Sequence, residues 1–229
     1  MISYPFPPNP SAGAVRSERF ARQLSLCGWN IDVLTIKPQD NNTMNDSNVW
    51  GENITIHRTR TVDPWLWMLN RVPKNIVLRG LRSVLMKVFS FPDHMLLWLP
   101  FALFHGLRIC RNKNVGVIYS TSPPHSSHLI GYLIAKITGL PWVADFRDPW
   151  TLNAYRNSGV INDWLIRLSE VIERAVYRTA SVVIANTKAN RRNLLNAFTE
   201  LNDQKVVYLP NGWESFDSTE TASPDENQT

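Results

Sequence analysis

The chain has 229 residues, 44% of them hydrophobic, with 10 Gly and 15 Pro. This excludes a fibrous or intrinsically disordered chain and allows a sizeable core. Net charge is +5 and uneven: Glu214, Asp217, Glu220, Asp225 and Glu226 close the chain without a Lys or Arg, leaving 24 basic against 14 acidic residues over 1–212.

In chain order, residues 2–4 read as the stump of a strand, followed by a Pro-rich loop over 5–13. A helix is predicted over 14–27, with Val15, Phe20, Leu24 and Cys27 near one face and Gly28 ending it. Strands follow at 31–36 and 54–59, separated by a polar loop. Over 73–89 the residues Val77, Leu78, Leu81, Val84, Leu85, Val88 and Phe89 share one arc, with Arg79, Arg82 and Lys87 on the other. An apolar helix over 97–111 is expected to kink at Pro100. A strand at 115–119, a helix over 125–138 and a strand at 141–144 come next.

A long helix over 163–179 is expected to turn Trp164, Leu165, Leu168, Val171, Ile172, Ala175 and Val176 inward, with Glu170 and Arg174 paired outside. A strand at 181–185, a helix over 188–198 and a strand at 206–209 lead to the turn Pro210-Asn211-Gly212. The reading is one domain over 1–212 and a polar, acidic tail over 213–229, expected to be disordered. Alternating strands and helices predict an α/β fold: a Rossmann-like parallel sheet with helices on both faces. In such sheets ligands collect beyond the carboxyl ends of the strands.

That rule draws attention to Asp145, Arg147 and Asp148, which follow the apolar run Trp142-Val143-Ala144. Two readings stand: a site at a strand end, or a salt-bridged loop in which Arg147 holds one Asp. Ser122 and His125 sit in a second loop of this kind, His125 serving a helix start or a ligand. Asn186 and Thr187 follow another strand, with Thr187 an N-cap or a contact. Residues 57–113 hold ten Lys and Arg against Asp63 and Asp93, with Trp65, Trp67 and Trp98 interspersed. Trp65, Trp67, Arg79, Arg82 and Lys87 suit an anionic membrane surface, or their faces simply divide between sheet and water. Cys27 and Cys110 lack metal spacing and suggest reduced thiols. The start MISYPFPPNPS lacks the regions of a signal peptide, and the apolar run 95–107 is too short to span a bilayer. The expected location is cytoplasmic, either free or peripheral on the membrane's cytoplasmic face.

Four segments together resemble the N-terminal domain of GT-B glycosyltransferases of the family-4-like group. They are SYPFPPNPSAGAVRSERFARQLSLCGWNIDVLT (3–35), VIYSTSPPHSSHLIGYLIAKITGLPWVADFRDPW (117–150), ERAVYRTASVVIANTKANRRNLL (173–195) and VVYLPNGWE (206–214). The resemblance implies one half of a GT-B fold, the acceptor half. It further implies a retaining transferase without a protein-bound metal or other cofactor, moving sugar from a nucleotide-sugar donor to a saccharide or lipid-linked acceptor, often for cell-surface polysaccharide.

By the same resemblance, Ala12, Gly13 and Arg16 form the phosphate-facing loop, with Ala12 standing where many relatives have a second glycine. Arg147 takes the place of a histidine near the transferred sugar, with Asp145 and Asp148 orienting it or accepting hydroxyl protons. Ser122, His125, Asn186 and Thr187 line the cleft. A segment such as LPNGWE leads in that family into a donor-binding domain, expected here from a separate chain or a missing part. The rival readings are a non-catalytic carbohydrate- or lipid-acceptor-binding module or a truncated relic, and a nicotinamide-dependent dehydrogenase. The dehydrogenase is disfavoured because no G-x-G-x-x-G follows the first strand. No nucleic-acid-binding motif is present.

Overall fold

The computed structural model describes residues 1–38, 50, 53–61, 93, 95–152 and 163–212. The helix expected over 73–89, the surface residues Trp65, Trp67, Arg79, Arg82 and Lys87, and the tail 213–229 lie outside the described residues. All named strands pair in parallel. β1 (Ile31–Ile36) pairs with β2 (Ile54–Thr59), and β3 (Ile118–Ser122), β4 (Trp142–Phe146), β5 (Val182–Ala185) and β6 (Val206–Tyr208) follow side by side. Ile2 joins the two groups, bridging Leu34 of β1 and Ser120 of β3 in parallel.

Counting the Ile2 segment as the first strand, the order across the sheet is 3-2-1-4-5-6-7. This extends the doubly wound order, whose ligand crevice opens where the winding reverses, here between the Ile2 segment and β3. The bottom of this track is unusual. The Met1 amine donates to Asp32 O at 2.7 Å. Burial, opposed by Asp32, lowers its pKa from 8.0 to about 6.

Each crossover is a helix with a local reason to start or stop. α1 (Ala12–Leu26) starts at Ser11, whose Oγ accepts from Ala14 N, and ends before Gly28 at φ +85. α2 (Leu99–Asn112) follows a 3₁₀ turn, Leu96–Trp98, and carries Pro100 in its first turn. Pro100 therefore begins this helix instead of kinking it, because the first turn needs no amide donor there.

α3 (Ser126–Thr138) receives Asp93 at its N-terminus, where Ser126 N donates to Asp93 Oδ2 at 2.8 Å and Ser126 Oγ donates to Oδ1. Gly139, left-handed, closes it. α4 (Asp163–Thr179) and α5 (Lys188–Ala197) complete the set, with Thr187 Oγ1 accepting from Asn190 N at 2.9 Å as the α5 N-cap. Among the described residues no helix is long and apolar enough to cross a membrane.

The core is aromatic. Trp98, Trp142, Phe146, Trp150 and Tyr177 are fully buried between the sheet and its helices. Gly131 of α3 makes room for Trp142: a Cβ there would sit 2.7 Å from the indole nitrogen. On α4, Leu165 and Val176 face inward, but Trp164, Leu168 and Val171 are exposed, against the sequence expectation. The apolar arc of α4 is wider than the side the sheet covers. The expected Glu170–Arg174 pair is also replaced: Arg174 bonds Glu200 at 2.9 Å instead. Glu200 also takes Arg178, so one carboxylate serves two cations.

Candidate functional site

β4 runs through Phe146, so Asp145 lies inside the strand and not beyond it. It is fully buried. Its carboxylate accepts from Tyr119 Oη at 2.6 Å, Thr121 Oγ1 at 3.0 Å, and both Nε and Nη2 of Arg16 at 3.2 and 3.1 Å. Four donors satisfy the buried charge, and the forked Arg contact fixes its partner's orientation. The expectation that Asp145 orients Arg147 is therefore corrected. Asp145 holds Arg16 and is itself withdrawn from the surface.

Arg16 is largely consumed in turn. Its Nη1 donates to Asn211 Oδ1 at 2.6 Å and to Pro210 O at 3.3 Å. The residue expected to face a phosphate instead ties α1 and β4 to the Pro210-Asn211-Gly212 turn.

Arg147 is held differently. Its Nε donates to Ser122 O at 2.7 Å and its Nη2 to Pro123 O at 3.3 Å, so the end of β3 cradles the guanidinium. The salt-bridged-loop reading fails here: among the described residues Arg147 forms no ion pair. The guanidinium lies on the first turn of α1, and a Cβ on Gly13 would stand 2.9 Å from both Nη1 and Nη2. Glycine is required at 13 for that approach, whereas Ala12 is exposed and carries its methyl without conflict. Burial lowers the Arg147 pKa, Asp145 and Asp148 pull it back up, and Arg16 pushes it down. The group stays cationic at any physiological pH. Asp148 itself is exposed on the loop beyond β4.

The remaining predicted residues divide. Ser122 is buried at the end of β3, and its Oγ has no hydrogen-bond partner among the described residues. His125 occupies the N-cap position of α3 without a side-chain cap bond, and stacks flat on Trp150 at 4.9 Å. That stack braces the loop after β4, which is tied a second time where Thr151 N donates to the buried Glu173 at 3.2 Å. Thr187 is an N-cap, and Asn186 is half-buried at the end of β5. The structure thus brings Gly13, Arg16, Ser122, Asp145 and Arg147 together.

Sequence reasoning missed Tyr119, Thr121, Asn211 and Glu173. Strand alternation contained part of the signal. Tyr119 and Thr121 are two apart on β3 and share a face, and Thr121 stands directly opposite Asp145. Behind the site His128 is fully buried, with Nδ1 bonded to Ser120 Oγ at 2.8 Å, and Ser120 Oγ also accepts from Trp142 Nε1 at 2.9 Å. Burial, and secondarily His125, lowers the His128 pKa well below 6.5, so this imidazole is neutral. Among the described residues no three His, Cys, Asp or Glu side chains are grouped to hold a metal.

The same fold is found in glycosyltransferases. The structure of Anabaena HepE in complex with UDP and glucose superposes with a TM-score of 0.54 at 12% identity, over 93% of this chain and 44% of that one. A second HepE structure, with UDP-glucose, gives 0.53 at 12% identity, again over 93% and 44%. Apo UGT2 of Phytolacca americana gives 0.53 at 13% identity, over 93% of this chain and 52% of its own. The chain therefore spans about half the length of these proteins. No curated protein matches it in sequence. The model of the glycosyl transferase 4-like domain family matches residues 11–212, nearly everything from the α1 N-cap to the Pro210-Asn211-Gly212 turn, and the chain belongs to that family.

Proposed function

We propose that this chain is the acceptor-binding half of a retaining, metal-independent glycosyltransferase. A nucleotide-sugar donor supplies the sugar, and a saccharide or lipid-linked acceptor receives it, in the synthesis of cell-surface polysaccharide. The observation that carries this reading is the crevice at the winding reversal. There Arg147 is pinned on Gly13 by two carbonyls of the β3 end, within a family domain that covers residues 11–212. The donor side is assigned to a second domain, in keeping with the half-length match to HepE and UGT2.

Each residue has a role in this reading. Transfer leaves a nucleoside diphosphate whose growing charge needs oriented donors and cations. The first-turn amides of Ala12 and Gly13 have no partner within the helix and face that region with a favourable dipole. Arg147, a fixed cation, is assigned to the acceptor side of the crevice. Arg16, locked by Asp145, holds the Pro210–Asn211 turn from which a donor domain would continue. Asp148 is exposed beside Arg147 in sequence and is assigned to acceptor hydroxyls. Trp65, Trp67, Arg79, Arg82 and Lys87, with exposed Phe101 and Phe104 on α2, are assigned to an anionic membrane surface on the cytoplasmic side, whereas Trp98 is buried in the core and takes no part.

The test joins the chain, through its Pro210-Asn211-Gly212 turn, to a GT-B donor domain and follows sugar release from UDP-glucose in the presence of lipid-linked and free glycans. Acceptor-dependent transfer that falls about tenfold to a hundredfold in Arg147→Ala, the loss of roughly 1.5–3 kcal/mol of charge-assisted contact, supports the proposal. Transfer unchanged in that variant removes Arg147 from the reaction. The half-length match favours one alternative, a binding module without catalysis, which would bind the same acceptors and never transfer to them.

A further inference from the structure

Two arginines meet at the crevice, and they are in opposite states. Arg16 has a buried carboxylate, a carbonyl and an amide oxygen for its donors. Arg147 has two backbone carbonyls and no carboxylate. A guanidinium carries five N–H donors, so three of those on Arg147 have no partner among the described residues. The group is largely withdrawn from water, which depresses its pKa and makes an uncompensated charge costly. Asp145 favours the charged form through space but makes no bond to Arg147, because Arg16, Tyr119 and Thr121 already occupy its oxygens. Asp148 is exposed and makes no hydrogen bond or ion pair to it. A fixed, half-buried cation that no carboxylate touches among the described residues, lying on the first turn of α1, is the chemistry of an oxyanion site.

We propose that the acceptor of this crevice carries an oxyanion, a phosphate or a carboxylate, and that Arg147 selects it. This rests on the reading of the chain as an acceptor-binding half. A planar fork with three free N–H groups suits the two oxygens of either anion, and a neutral glycan leaves the charge unpaired. Arg147 is then a specificity-determining residue. The side-chain-free Gly13 is what lets its guanidinium reach the first turn of α1.

The test is equilibrium titration of the ¹⁵N-labelled chain, following arginine Nε–H resonances. The probes are glycerol phosphate, glucuronate, methyl glucoside and UDP at one fixed ionic strength. Glycerol phosphate or glucuronate should bind at least about tenfold more tightly than methyl glucoside. That margin should vanish in Arg147→Met, survive in part in Arg147→Lys, and shrink in Gly13→Ala, which displaces the guanidinium without removing it. Melting curves of all variants confirm that folded protein is compared.

Equal binding of charged and neutral probes overturns the proposal, as does anion binding unchanged in Arg147→Met. UDP binding more tightly than both anions and depending on Arg147 also overturns it, because the residue would then serve the donor. If anions bind through Arg147 but the chain completed with a donor domain transfers no sugar, the acceptor-half reading fails while the oxyanion site stands.

Discussion

Replacing Asp145 by Asn keeps its shape and removes its charge, which makes it the sharpest probe of the inner site. In the native chain one buried carboxylate accepts from Tyr119, Thr121 and two nitrogens of Arg16, whose side chain is 14% exposed against 0% for Asp145. The amide oxygen of Asn can still accept from Tyr119 and Thr121. Its NH₂ must then face the Arg16 guanidinium, donor against donor, and that cation loses its counter-charge. Removing one member of a buried pair costs about 3–5 kcal/mol. At roughly 2–4 °C per kcal/mol for a chain of this size, the melting temperature should fall by about 6–20 °C. Thermal unfolding followed by circular dichroism reads this directly. Adding Arg16→Met should recover part of the loss, because the stranded cation is gone. A fall of no more than about 2 °C, the scale of an exposed ion pair, would refute the claim that Asp145 is a buried anchor.

Further outcomes follow from single contacts. Gly131→Ala would place a methyl 2.7 Å from the buried Trp142 indole nitrogen, and should destabilise by about 1–3 kcal/mol in denaturant titration. Thr187→Ala removes the α5 N-cap and should cost about 1 kcal/mol, without altering binding to any ligand of the crevice. The Met1 amine, at 8.0 unfolded and about 6 folded, takes up protons in the unfolded chain first. Stability is therefore greatest above pH 8 and is lost as pH falls towards 6, by up to about 2.7 kcal/mol. Chemical unfolding across that range should show the slope, and acetylating the amine should flatten it.

Much of the fold was legible because burial on a parallel sheet imposes simple patterns. The strands at 31–36 and 54–59 were read at their observed limits, since β-branched apolar residues there end at clear polar boundaries. The errors fall where polar side chains are buried. β3 was expected at 115–119 but occupies Ile118–Ser122. Its Tyr-Ser-Thr-Ser end is polar yet buried because Ser120 bonds Trp142 and His128, and Thr121 bonds Asp145. β4 extends through Asp145 for the same reason. Arg16 lies 129 residues away in sequence, and no local pattern announces such a partner. At the site, Gly13 and Arg147 were both singled out, but that the two touch is a matter of packing. The choice between Arg16 and Arg147 as the available cation required the hydrogen-bond partners of both.

The central claim is that this chain holds the acceptor and leaves the nucleotide sugar to another domain. Calorimetric titration of the purified chain with UDP-glucose and, in the same buffer, with a series of glycan and lipid-linked saccharide acceptors tests it most directly. The account predicts saturable, structure-dependent heats with acceptors, and none with UDP-glucose in the micromolar range. Micromolar binding of UDP-glucose by this chain alone, with acceptors inert, would contradict it.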